Sequence, residues 1–351
     1  LFAAAGDLAY TLDTTDGSIV ARHEIPLRAR EACGPVGDPR PRCEWGWLAL
    51  DGARLLGTAA LPGTARLEQN RVAVVDQYSE NEPLATSRAL FSIDRPTGKV
   101  DWVYREGVIV NSTIAVRDGR IIFLESRSDP ALEKHDGRVT LEDLQRGPLD
   151  LVAIDLKKGR RLWRVPIEGG RFKHSVFVAM GPEQIALVGC TNDLERNRYH
   201  VAAHDPATGR ELWRADHANN RAGTGGDHGE QVHHPVLLDG VLIAEPHAYD
   251  LATGEEVNPS GGNDFYLKSR SGCGTISASD NCLFFRDGNP AVLELTSGSG
   301  TPEKLTQASR QGCWVNVIPA QGMALIPEAS SGCVCGYSLQ TSIGLVPVEV
   351  E

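Results

Sequence analysis

Four of the ten histidines in this 351-residue chain fall within positions 217–234: His217, His228, His233 and His234. Between His217 and His228 lies a glycine-rich stretch, Ala222-Gly223-Thr224-Gly225-Gly226-Asp227, which lacks the Gly-Lys-Ser/Thr of a phosphate-binding loop. Imidazoles serve as general bases, proton shuttles or metal ligands near neutral pH. His233 and His174, at equivalent places before consecutive strand pairs, are the candidate bases. Arg270 and Lys173 are the candidate neutralisers of an acidic substrate's charge, whereas His217 and His228 are expected at the surface. Cys273 and Cys313 also occupy equivalent places. With His233 and His234 they offer soft ligands for copper or zinc. The competing reading pairs Cys273 and Cys313 with Cys333 and Cys335 as disulfides, and the spacing leaves both open. Trp45, Asn111 and Trp314 are the candidate ligand-binding residues, the indoles either as stacking surfaces for sugar rings or, as the alternative, as packing between blades. Cys33 and Cys43 bracket a Gly/Pro-rich loop of the kind a disulfide pins. Cys190 and Cys282 read as buried thiols in the role of small hydrophobes.

The elements that must position these residues announce themselves by repetition. An aspartate, a glycine four residues on and a tryptophan four beyond that recur as Asp94…Gly98…Trp102, Asp155…Gly159…Trp163 and Asp205…Gly209…Trp213. Two copies, Asp13…Gly17 and Asp250…Gly254, lack the tryptophan. Each copy alternates apolar residues around a glycine-centred turn, a hairpin signal. Spacings of mostly about 45–60 residues lie in the range of β-propeller blades. Strand pairs beginning near Trp45, Ser112, His174, His233, Cys273 and Cys313, together with Leu1–Ile25, make seven units. The expectation is an all-β, single β-propeller over residues 1–351, of four-stranded antiparallel blades. Seven blades are expected, eight if a degenerate unit escapes the count. A strand within Leu345–Val350 would join the N-terminal unit and close the ring, because an open ring leaves sheet edges unpaired. Aligned on their turns, the inner strands place Glu44, Asn111, Lys173, Val232, Cys273 and Cys313 at one channel position. Trp45, Ser112, His174, His233, Gly274 and Trp314 stand at the next. Polar groups converging on one concavity mark a binding site. A slip of one residue would reverse which side chains face inward.

Composition agrees with many short strands: 37 Gly and 20 Pro against 2 Met, with 41% hydrophobic residues for the core. A formal charge of −11 argues against a nucleic-acid partner, whose electrostatic footprint would be basic. No apolar run reaches the length of a membrane span. The chain starts at Leu1 inside a strand-like segment, as a processed protein or a piece of a longer one with further domains would. Eight cysteines, several in loop positions, point to an extracytoplasmic location, periplasmic, secreted or at the cell surface.

The copy Ala203-His204-Asp205-Pro206-Ala207-Thr208-Gly209-Arg210-Glu211-Leu212-Trp213 closely resembles the docking motif of the PQQ-like propeller repeat family. That family includes quinoprotein dehydrogenases and outer-membrane assembly scaffolds. The resemblance implies that each tryptophan packs between neighbouring blades while Asp and Gly shape the turn. Around Cys273-Gly274-Thr275, Cys313-Trp314-Val315 and Cys333-Val334-Cys335, the last third is similar to the tail of large bacterial PQQ-like repeat proteins. PQQ itself does not fit: quinoprotein dehydrogenases stack it on an adjacent Cys-Cys disulfide beside a calcium site. No adjacent cysteines occur in this chain. Glu44 and Asn111 are the only calcium ligands in prospect, without an identifiable acidic partner.

Three functions remain in play. The first is an extracytoplasmic binding module whose His/Cys/Trp-lined mouth grips a polysaccharide or another extracytoplasmic protein. The second is a carbohydrate-active enzyme, a polysaccharide lyase or hydrolase with a mouth histidine as base. The third is a metal-dependent oxidoreductase built on the His/Cys set.

Overall fold

The computed structural model describes residues 1–34, 42–64, 83–173, 175–192, 197–218, 234–261, 275–308, 312, 317–328 and 341–347. Among these the strands form seven antiparallel sheets, and the fold is an all-β seven-bladed β-propeller. The chain clusters into two compact units, Leu1–Lys173 with Pro206–Arg210, and His174–Asp205 with Glu211–Glu351.

The first unit carries three sheets. Phe2–Ala5, Leu8–Leu12 and Ile19–Glu24 form the first. Glu44–Asp51, Arg54–Ala60, Ala89–Asp94 and Val100–Tyr104 form the second. The third runs through Val108–Val110, Arg120–Ser126, Leu149–Asp155 and Arg161–Pro166, with Ala115–Arg117 also pairing Arg120–Ser126. It takes up Thr86–Ser87 as an edge strand against Ile109 and Val110. That two-residue crossover fixes both Arg88 and Asn111, which flank it. Ile121, Ile122, Phe123 and Leu124 are all 0% exposed, so this strand is covered on both faces, as an inner blade strand must be. Between the second and third strands of this sheet, residues 127–148 hold two short helices, Asp129–Leu132 and Leu141–Gln145. Thr140 and Asp143 close a capping box on the second helix.

The second unit carries four sheets. The fourth sheet pairs Ser175–Met180, Ile185–Asn192, Asn197–His204 and Glu211–Ala218 in order. The fifth has three strands, Val236–Leu238, Val241–Ala244 and His247–Asp250. The sixth has four, Ser277–Ser279, Cys282–Asp287, Asn289–Glu294 and Glu303–Lys304. The seventh pairs Ile318–Ala320, Met323–Ile326 and Ile343–Leu345. Leu345, expected to join the N-terminal unit, instead pairs with Ala324 in this last sheet. Residues 348–351 lie outside the described set.

The repeated phrase acts as one mechanical part. At Asp155 the side chain accepts the backbone N–H groups of Lys157 (2.9 Å) and Lys158 (2.7 Å), and Gly159 N–H returns to the Asp155 carbonyl at 2.8 Å. Trp102 then donates its indole N–H to the carbonyl of Leu156 at 2.9 Å, and its ring lies where a Cβ on Gly159 would sit, 2.4 Å away. Trp213 treats the degenerate copy alike, donating to Leu251 at 2.8 Å and lying 2.6 Å from a Cβ on Gly254. Within the first unit, Trp163 donates to Pro206 at 3.1 Å and covers Gly209. Each glycine serves twice: it takes a positive φ in the turn, and it leaves room for an indole.

Candidate functional site

The two ligand candidates inside the described residues of the first unit, Trp45 and Asn111, meet at one corner. The strand Glu44–Asp51 slips register between Trp45 and Leu48, and this turns Trp45 inward. Trp45 is 9% exposed and packs edge-on against Phe91 at 5.0 Å, over the bare backbone of Gly57. It is therefore a core side chain, the packing role that stood as the alternative to a sugar platform. Asn111 opens the single helical turn Asn111–Thr113, is buried, and donates its amide to the carbonyl of Gly46 at 3.1 Å. Gly46 is exposed, and a Cβ there would strike Ser87 Oγ (2.6 Å) and Asn111 Nδ2 (2.8 Å). Ser87 donates to Thr58 Oγ1 at 2.8 Å behind them. Two buried atoms at this corner have no hydrogen-bond partner: Asn111 Oδ1 and Trp45 Nε1. Buried polar atoms are nearly always satisfied, so each exception asks what completes it.

Most of the remaining site candidates fall elsewhere. His174, His233, Arg270, Cys273, Cys313 and Trp314, with Cys333 and Cys335, lie outside the described residues. Lys173 is exposed at the end of the first unit. His234 donates from Nδ1 to the carbonyl of Pro235 at 2.9 Å and rests its ring 4.8 Å from Phe177. Among the described residues, no three His, Cys, Asp or Glu side chains gather as a metal site. Three of the four copper or zinc candidates, His233, Cys273 and Cys313, lie outside those described residues.

His217, expected at the surface, is buried in the second unit. Tyr249 donates its hydroxyl to His217 Nδ1 at 2.7 Å, so Nε2 carries the proton toward the Glu245 carbonyl, 3.4 Å away. Its ring stacks on Tyr199 at 5.3 Å and lies 4.5 Å from that of His247. Glu256 Oε1 stands 2.9 Å from His247 Nδ1, close enough for an ion pair but not aligned for a hydrogen bond. Burial first, and the neighbouring His247 second, hold the His217 imidazole down to a pKa of about 3. The signal was in the alternation: Trp213, Ala215 and His217 share one face of a strand.

Cys33 and Cys43 are neighbours, as their expected pairing requires, but they are free thiols. Cys43 donates to the carbonyl of Arg30 at 3.5 Å. The adjacent Cys43 and burial push the Cys33 thiol far up, so it stays protonated. Cys190 is buried as expected, and Cys282 is half-buried.

A charged network that sequence reasoning missed joins the second and third sheets. Glu125 is 0% exposed and accepts from the Tyr104 hydroxyl at 3.1 Å and from Arg164. Arg164 also reaches Glu106 at 2.9 Å, and Arg127 holds Asp150 at 2.8 Å. Burial raises the Glu125 carboxyl above its usual range, with Arg164 pulling the other way. These hydrogen bonds join residues 21 to 58 positions apart in sequence, and no local pattern marks the network.

No protein-family profile matches the chain, and no curated protein matches it in sequence. Among solved structures, a chain of the Mitotic Checkpoint Complex is similar with a TM-score of 0.50 at 11% identity, over 94% of this chain and 81% of that one. Quinohemoprotein alcohol dehydrogenase ADHIIG from Pseudomonas putida HK5 gives 0.43 at 14% identity, over 93% of this chain and 49% of that one. BamB from Moraxella catarrhalis gives 0.40 at 11%, over 92% and 87%. At such identities the likeness is one of fold alone.

Proposed function

We propose that this propeller is an extracytoplasmic binding module for a hydroxyl-rich polymer, and that the polymer meets the corner formed by Gly46, Ser87 and Asn111. The observation that carries this reading is Asn111 Oδ1, a buried acceptor with no partner, beside an exposed glycine. A sugar hydroxyl is a donor of the size and polarity that completes such an acceptor, and hydroxyls are what a polysaccharide presents in quantity. Placement outside the cytoplasm is supported by the side-by-side thiols of Cys33 and Cys43, which an oxidising compartment would join. A binding role also suits His217, whose two ring nitrogens are both engaged by the protein and so are not free to move a substrate proton.

The test is binding to a panel of soluble polysaccharides, with absorbance at 235 nm followed in the same samples. Wild type should bind at least one polymer without new absorbance. Asn111→Leu should weaken that binding about tenfold, the scale of one lost hydrogen bond. Steady growth of 235 nm absorbance with a uronate polymer would instead establish a lyase. Equal binding by Asn111→Leu would remove this corner from the site.

A further inference from the structure

Arg88 follows the crossover Thr86–Ser87 and is only 9% exposed. Its Nη2 donates to three carbonyls at the end of the helix Asp129–Leu132 and just beyond: Ala131 (3.0 Å), Leu132 (3.0 Å) and Lys134 (3.1 Å). Carbonyls accept hydrogen bonds but carry no net charge. Among the described residues no carboxylate lies within ion-pair distance of Arg88, and its hydrogen bonds there all leave from Nη2 to carbonyls. The thiol of Cys33 beside it is neutral, because Cys43 and burial keep it protonated. A guanidinium cannot shed its proton to escape this position. A buried charge without a counter-ion is among the costlier arrangements a protein can hold.

That guanidinium lines a cavity of about 290 Å³ in the first unit, together with Cys33, Leu61, Arg105, Leu132 and His135. Arg105 adds a second cation, although it is already engaged by Glu31 at 3.0 Å. Glu106 also reaches the wall, but its carboxylate is taken by Arg161 and Arg164. His135 and Leu132 are exposed, so the cavity opens to solvent at their side. The size suits a ligand of a few heavy atoms, with apolar contact from Leu61 and Leu132.

We infer that this cavity binds a small oxyanion, a carboxylate or phosphate group whose charge completes Arg88. The site is separate from the Asn111 corner and does not depend on the reading given for it.

The experiment is thermal unfolding of the full chain in a chloride-free buffer, titrated with sodium phosphate or sodium acetate up to about 10 mM, where screening is still weak. Wild type should show a saturable rise in midpoint with at least one of the two anions, and the responding anion identifies the head group. Arg88→Gln keeps an amide donor for the carbonyls but removes the charge, and should weaken the apparent affinity about thirtyfold or more. Leu132→Glu, at an exposed wall position, leaves Arg88 in place and supplies a carboxylate. It should raise the midpoint without added anion and abolish the response. No saturable rise with either anion, or a rise that both variants retain, overturns the inference.

Discussion

His217 must remain neutral to keep its place. The Tyr249 hydroxyl donates to one ring nitrogen, and an imidazolium would meet that nitrogen with a proton of its own. Its folded pKa of about 3 lies below the unfolded value of 6.5, so the unfolded chain binds more protons between those limits. Stability from this residue is therefore complete above pH 6.5 and falls as pH drops toward 3. The slope approaches about 1.4 kcal/mol per pH unit. Burial lowers His23 in the same direction. Backbone amides hold the carboxylates of Asp13 and Asp250 low, and those contributions are lost only as pH falls below the ordinary carboxylate pKa of about 4. Between pH 6.5 and 4.5 the lowered histidines cost stability as pH falls, while the raised Glu125 carboxyl acts in the opposite sense. The difference between wild type and a His217 variant therefore isolates that imidazole. Urea unfolding across this range should show a steeper loss of stability in wild type than in His217→Gln. At pH 8 that variant should itself be about 1–2 kcal/mol less stable, from lost packing and hydrogen bonding. Parallel pH profiles for the two proteins would show that His217 does not carry the acid sensitivity.

At the scale of the hairpin, two glycines with nearly the same backbone separate the turn from the dock. Gly98 has φ +69° with open space where a Cβ would sit, whereas Gly159 has φ +63° with the Trp102 ring 2.4 Å from that point. Gly98→Ala should cost only the left-handed backbone, about 1–2 kcal/mol. Gly159→Ala adds displacement of a buried indole that donates to Leu156, and should cost about 3 kcal/mol or more. Trp102→Leu opens the space, so the double variant with Gly159→Ala should be less destabilised than the sum of its parts. Equal costs at the two glycines in chemical denaturation would sink this account of the motif. The same geometry explains what the sequence made readable. The phrase Asp…Gly…Trp locates turns and blades because it is local. The copy at Asp250–Gly254 keeps its glycine since Trp213 docks there. Arg88 and Glu125 carry no local signal, for their partners lie on other elements tens of residues away, a helix end for Arg88 and a strand for Glu125. For Trp45 the sequence leaves two roles open, stacking surface or packing residue, and its burial beside a register slip that pattern cannot show selects the second.

Across the whole molecule, seven units counted from sequence match seven sheets, because hairpin periodicity and glycine turns decide architecture. Function is less legible, since the residues that could carry it sit in connections whose neighbours depend on which sheets abut. One whole-chain property does bear on where the protein works. Cys33 and Cys43 stand in contact as thiols across the segment 34–42, and oxidation would cross-link the link between the first and second sheets. Closing a loop of this length restricts the unfolded chain by about 3 kcal/mol. Protein refolded with oxidised glutathione should therefore lose two thiols at Cys33 and Cys43, mapped by alkylation and peptide mass. Its unfolding midpoint should exceed that of the reduced protein. Cys43→Ser should remove the difference, even though the other cysteines are still present. An oxidised midpoint no higher than the reduced one, with these thiols still open to alkylation, would make the pair a buried packing contact. The case for an oxidising compartment would then rest on other cysteines.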